Sequence, residues 1–163
     1  MGVVLLVILR LTVFAPHPND QKLIAKALED SIQASKEGRP GGVLDLLSQK
    51  FKINESSPGS RWDIAKFIRD NKPDLEIANT VAVISGDSAR IDTPVRVKLS
   101  YLNQNFDQQI ENVTLVFQKE EGRRYIFIPD TQWHLTDVLV PNNVIPVNLP
   151  EDGGFGGLGG LDY

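Results

Sequence analysis

His134 stands between two acids, Asp130 and Asp137, near the end of the patterned part of the chain. An imidazole oriented by a neighbouring carboxylate can serve as a general base near neutral pH, so these three residues are the candidates for catalysis. The local pattern turns the histidine the other way. If Trp133 and Leu135 face a core, alternation puts His134 on the opposite side of the strand with Gln132 and Thr136, and only a bulge at Pro129-Asp130 would bring it inside. Other chemistry is narrowed by composition. There is no cysteine, which excludes disulfides, thiolate nucleophiles and Cys-ligated zinc, and His17 and His134 are the two histidines. No metal or cofactor site is expected. A net charge of -4 offers no general attraction to phosphate backbones, so nucleic acid is not an expected partner.

Several weaker signals carry a functional and a structural reading side by side. Asn54-Glu55-Ser56 fits a glycosylation sequon in a turn, and Asn112-Val113-Thr114 matches again inside a strand. Arg90, Arg96 and Lys98 form a row that is either a solvated outer face or a partner-binding, dimerising sheet surface. Gly153-Gly154-Phe155-Gly156-Gly157-Leu158 reads as a flexible end, or as a sticky peptide anchored by Phe155 and Leu158. It is no phosphate loop, since no lysine follows it and no strand-to-helix context surrounds it.

The elements that would position these residues follow from periodicity. Residues 1–18 hold an apolar run, Val3 to Ala15 with Arg10 inside it, stopped by Pro16. A helix of about fifteen residues reaches about 22 Å, short of the roughly 30 Å hydrocarbon core. Val13-Phe14-Ala15 resembles a signal cleavage site, yet no basic region precedes the run and Pro16 would follow the cut. The expectation is a signal or anchor whose basic flank lies upstream of Met1, giving membrane contact and an extracytoplasmic or membrane-anchored location. The competing reading is a buried first strand or helix.

Residues 19–140 are expected to form a single α+β domain. Asn19 or Asp20 caps a helix with Ile24, Leu28 and Ile32 on its buried stripe, closed by Gly38. Val43, Leu44, Leu47 and Phe51 predict a second helix. Ser60 with Asp63 predicts a third, with Ile64, Phe67 and Ile68 inside and Pro73 ending it. From Leu75 the period becomes two. The first strand carries Ile77, Val81 and Val83 on one face, and Gly86-Asp87 turns into a second with Ala89, Ile91, Thr93, Val95, Val97, Leu99 and Tyr101 inside. Asn103 to Asp107 makes the next turn. Val113, Leu115 and Phe117 line a third strand, and Glu121-Gly122 turns into a fourth that starts with Tyr125 and Phe127 and is interrupted at Pro129-Asp130. Residues 141–163 read as a mobile Pro/Gly-rich tail.

Three helices followed by long antiparallel strands, the last carrying Thr131-Gln132-Trp133-His134-Leu135, resemble the nuclear transport factor 2-like superfamily, which includes ketosteroid isomerases and polyketide cyclases. The resemblance covers about residues 20–140. It implies three N-terminal helices packed on a curved, cone-shaped, four-stranded antiparallel sheet. It also implies an apolar pocket floored by Val95, Val97, Leu99, Tyr101, Leu115 and Phe117, beside Trp133 and roofed by Trp62 and Phe67. Enzymes of the superfamily place an acid, a histidine or a tyrosine inside the cone. The inner positions here offer Asn79, Thr93 and Tyr101, and a ketosteroid-isomerase mechanism finds no matching aspartate. The expected function is therefore a non-catalytic, membrane-tethered or exported domain that binds a small apolar ligand or a partner, with a sheet-mediated homodimer fitting it. The alternatives are a small isomerase, dehydratase or cyclase acting on a hydrophobic substrate, and a structural component of an envelope assembly.

Overall fold

The structure is a computed structural model, and it describes residues 18–101, 104–125 and 128–141. The apolar N-terminal run and the Pro/Gly tail lie outside the described residues, as do the side chains of Tyr101, Tyr125 and Asp130. Three helices, α1 (Pro18–Lys36), α2 (Pro40–Leu46) and α3 (Arg61–Asn71), accompany six strands. These are β1 (Leu47–Ile53), β2 (Asp74–Ile77), β3 (Val83–Ser85), β4 (Ser88–Tyr101), β5 (Gln104–Tyr125) and β6 (Ile128–Leu139). They form one sheet in the order β1-β6-β5-β4-β2, with β3 also paired to β4. Among the described residues no helix is long and apolar enough to cross a membrane.

The α+β class and the three helices agree with the expectation, while the strand count rises from four to six. The additions have local causes. The second helix stops at Leu46, and Leu47 turns extended (φ -77°, ψ 131°). The stretch carrying Phe51 instead becomes β1, which runs parallel to β6 with Lys52 beside Asp137 and Ile53 beside Val138. A short apolar run satisfies either period, and here pairing with β6 decides it. The expected first strand is split into β2 and β3. Between them Asn79 N–H donates to Thr93 Oγ1 (2.9 Å), and Gln21 bonds both the Thr80 carbonyl (3.0 Å) and the Ala82 N–H (3.1 Å). That break shifts the phase by one residue, so Ala82 and Ile84 pack inward while Val81 and Val83 are 66% and 73% exposed.

Both later turns lie further out than expected. Tyr101 pairs with Gln104, so Asn105 to Asp107 are already strand. Glu121 and Gly122 pair with Thr131 and Asp130, and the hairpin closes between Tyr125 and Ile128. Pro129 and Asp130 do not interrupt β6. β1 joins β6 only from Leu135 onward, so a proline with no N–H is tolerated on the side of β6 that lacks a neighbour there. An extra residue on β4–β5, where Thr93 faces Val113 and Val95 faces Ile110, is absorbed at Asn112, whose φ of +58° is left-handed.

The core lies between the concave sheet face and α1 and α2. Phe117, Ile24 and Ile91 are its largest fully buried side chains, surrounded by Leu28, Leu46, Leu115, Trp133 and Leu135. α1 and α2 approach so closely that a Cβ on Gly42 would stand 2.6 Å from the Ala34 Cβ. α3 is held by a capping box, with the Asp63 N–H donating to Ser60 Oγ (3.2 Å) and the Ser60 N–H donating to Asp63 Oδ2 (2.9 Å).

Candidate functional site

The inner acid that the strand pattern lacks comes from a helix. Asp20, in the first turn of α1, lies on the same stripe as Ile24 and Leu28 and is 6% exposed. Lys119 continues the inner-face alternation of β5 beyond Phe117, and Trp133 does so on β6. The Lys119 ammonium donates to Asp20 Oδ2 (2.9 Å) and the Trp133 indole N–H donates to Asp20 Oδ1 (3.3 Å). The same ammonium sits 5.1 Å from the Trp133 ring centroid, within range of the negative ring face. These contacts compensate the carboxylate charge and tie the helix N-terminus to two strands about a hundred residues away in sequence. Chemically the cluster is an oriented carboxylate beside an ammonium in a largely apolar shell.

The i, i+4 step from Asp20 to Ile24 and Leu28 marks it as part of the buried stripe as well as a residue type suited to a helix cap. Lys119 was hidden because a turn was expected at Glu121, which would have ended the strand just past it.

His134 and Asp137 lie on the other side of the sheet. Trp133 and Leu135 are buried in the core, and His134 pairs with exposed Gln118. A bulge sits at Thr136, where Phe117 faces Leu135 but Val116 faces Asp137. It keeps Val138 against the core and leaves Asp137 on the outer face with His134. Both are half-buried, and His134 Nδ1 and Asp137 Oδ1 are buried with no hydrogen-bond partner among the described residues. Among the described residues no cluster of three potential metal ligands occurs.

The expected pocket floor is divided. Val95, Leu115, Phe117 and Trp133 are buried in the core and Val97 packs against it, so this part of the cone is filled by Ile24, Leu28 and their neighbours rather than left open. Trp62 does not roof it. That side chain is 68% exposed, because α3 turns Ile64 and Ile68 toward the core, which leaves Trp62 on the opposite face of the helix. Phe67 is half-buried. Of the expected floor residues, Leu99 borders a cavity of about 330 Å³ between the end of α3 and the β4–β5 hairpin. Its lining is mostly polar: Asn71, Lys72, Lys98, Ser100, Asn105 and Asp107 surround it, and Leu99 and Phe106 supply the apolar part. Phe106, paired across from Leu99, is 45% exposed there.

The basic row on the outer face is neutralised within the chain. Arg96 makes two bonds to Asp107 (2.6 and 2.8 Å), Arg90 pairs with Asp92, and Lys98 with Glu76. The Arg96 guanidinium holds the Asp107 carboxyl below the usual carboxylate range. The Arg90 guanidinium, helped by the Thr114 hydroxyl, does the same for Asp92. Asn54, the sequon residue, spends its amide on the backbone: Nδ2 donates to the Val140 carbonyl (3.0 Å) and Oδ1 accepts from the Val140 N–H (2.7 Å). A glycan on that nitrogen would displace this pair.

No family model matches the chain, and no curated protein matches it in sequence. Solved structures do match its shape. A nuclear transport factor 2-like protein of unknown function in nutrient uptake from Rhodospirillum rubrum is 16% identical, with a TM-score of 0.56 over 71% of this chain and 94% of that one. A protein with a cystatin-like fold from Novosphingobium aromaticivorans is 12% identical, with a TM-score of 0.54 over 86% and 90%. A protein assigned as a calcium/calmodulin dependent protein kinase II association domain from Xanthomonas campestris is 20% identical, with a TM-score of 0.52 over 80% and 96%. The chain has the nuclear transport factor 2-like, cystatin-like fold.

Proposed function

We propose that this chain is a non-catalytic binding or interaction domain, membrane-tethered or exported through residues 1–18. Its ligand is a small apolar molecule seated between the end of α3 and the β4–β5 hairpin. The observation that carries this reading is the division of the cone: the deep part is filled by core side chains, while Leu99 and Phe106 border the open cavity. A sheet-mediated homodimer belongs to the same reading, and sedimentation of the intact protein tests it. Titration with an apolar fluorescent probe, followed by amide chemical shifts, tests the ligand site. Shifts are expected at residues 71–72, 98–100 and 105–107, with binding lost in Phe106→Ala. Shifts confined to the Trp133 indole and its surroundings would defeat the reading.

That second outcome would favour a small enzyme acting on a hydrophobic substrate, for which Asp20 beside Lys119 is the supporting observation. The tether is tested separately by fractionation. The full chain should travel with membranes and a chain starting at Asn19 should not; equal solubility would remove the tether.

A further inference from the structure

We infer that the molecule seated in the cavity at the end of α3 is an anionic amphiphile, its charged head held by the Lys72 ammonium and its apolar tail lying on Leu99 and Phe106. This rests on the apolar site proposed above and names the class of its ligand. The first observation is charge. Lys72, Lys98 and Asp107 are the ionisable side chains of the lining. Asp107 gives both carboxylate oxygens to Arg96 (2.6 and 2.8 Å), and Lys98 pairs with Glu76. The neutral polar groups are engaged as well: Asn71 Nδ2 donates to the Phe67 carbonyl (2.9 Å) and the Ser100 hydroxyl donates to Asn105 Oδ1 (2.6 Å). Lys72 has no acid partner among the described residues. The wall therefore carries an uncompensated positive charge beside an apolar surface.

The second observation is backbone conformation. Lys72 ends α3 in the left-handed region (φ 45°, ψ 57°), a position that helices usually give to glycine. A residue with a Cβ is disfavoured there, and the bond from the Lys72 N–H to the Ile68 carbonyl (2.9 Å) needs no side chain. A side chain kept against the backbone's preference points to a use for it. The third is placement. The Lys72 stem lies along Gly38, just past the end of α1, where a Cβ would stand 3.0 Å from the lysine Cγ and 3.1 Å from its Cε. Gly38 leaves the room that the stem occupies, and this contact limits how far the ammonium can swing at the rim of the cavity. Leu99 and Phe106 face each other across β4 and β5 on the same lining. A restrained cation next to that pair suits a ligand with a negative group at one end and hydrocarbon at the other, because the charge-assisted contact and the apolar burial are satisfied together.

Amide-shift titrations of the full chain with octanoate and with 1-octanol at neutral pH test the inference, since the two probes share a chain length and differ in charge. Both should shift residues 71–72, 98–100 and 105–107, and octanoate should bind at least about fivefold more tightly. Lys72→Arg should keep that preference and Lys72→Met should abolish it, with unchanged shifts at residues 113–117 reporting that each variant is folded. Equal binding of the two probes at these residues would overturn the inference and leave the apolar site standing; Lys72 would then serve only to offset the carbonyl end of α3. A preference that survives Lys72→Met would overturn it too. Shifts from neither probe at these residues would remove the apolar site itself, and the inference with it.

Discussion

Replacing Asp20 by alanine leaves the Lys119 ammonium and the Trp133 indole N–H without their shared acceptor in a largely buried site. Breaking such a pair from one side costs about 3 kcal/mol, more than the intact pair contributes over an apolar substitute. Asp20→Ala should therefore lower the urea midpoint strongly, and Asp20→Asn, which keeps an acceptor for the indole, should lower it less. Trp133 fluorescence follows both, since the other tryptophan, Trp62, is 68% exposed and changes little on unfolding. Equal losses in the two variants would mean that the lost charge accounts for the whole effect and that the acceptor kept for the indole contributes nothing. The candidate residues were unevenly legible. Alternation placed His134 on the outer face from sequence, because Trp133 and Leu135 flank it. Asp137 was harder, since the bulge at Thr136 that sets its side leaves no mark in the letters.

The helices were legible in the stripe of α1, although Asn19 and Asp20 lie inside its first turn rather than capping it, and in the Ser60 capping box of α3. They were not legible at Leu47, where helical spacing persisted past the true end. The α1–α2 contact shows what such packing demands. Gly42→Ala places a methyl 2.6 Å from the Ala34 Cβ, so the helices must separate, at a cost of about 1–3 kcal/mol despite alanine's better helix propensity. Thermal unfolding of Gly42→Ala should show a lower Tm, and Gly41→Ala, whose Cβ meets nothing within 4 Å, should not.

At the scale of the whole molecule, outer-face and capping charges set the response to acid. Asp63, Asp92 and Asp107 are each held below their ordinary value of 3.8, by Ser60, by Arg90 with Thr114, and by Arg96 respectively. Carboxylates depressed in the folded state stabilise it above the unfolded value and lose that contribution as pH falls through the folded value. Their contribution should be constant from neutral pH to about 5 and decline below about 4, and because all three are at the surface, added salt should shrink it. Urea midpoints across pH at low and high salt check this; a midpoint that stayed unchanged to pH 2 would contradict it. The sequence alone determined the class, the three helices, and the inner faces of β4 and β5, because periods of 3.6 and 2 are written in side-chain order. Only the tertiary structure decided that β1 is a strand, that the deep cone is filled, and that its acid comes from α1. Those outcomes depend on which distant segments meet, and Asp20 meets Lys119 and Trp133 only once α1 lies across the finished sheet.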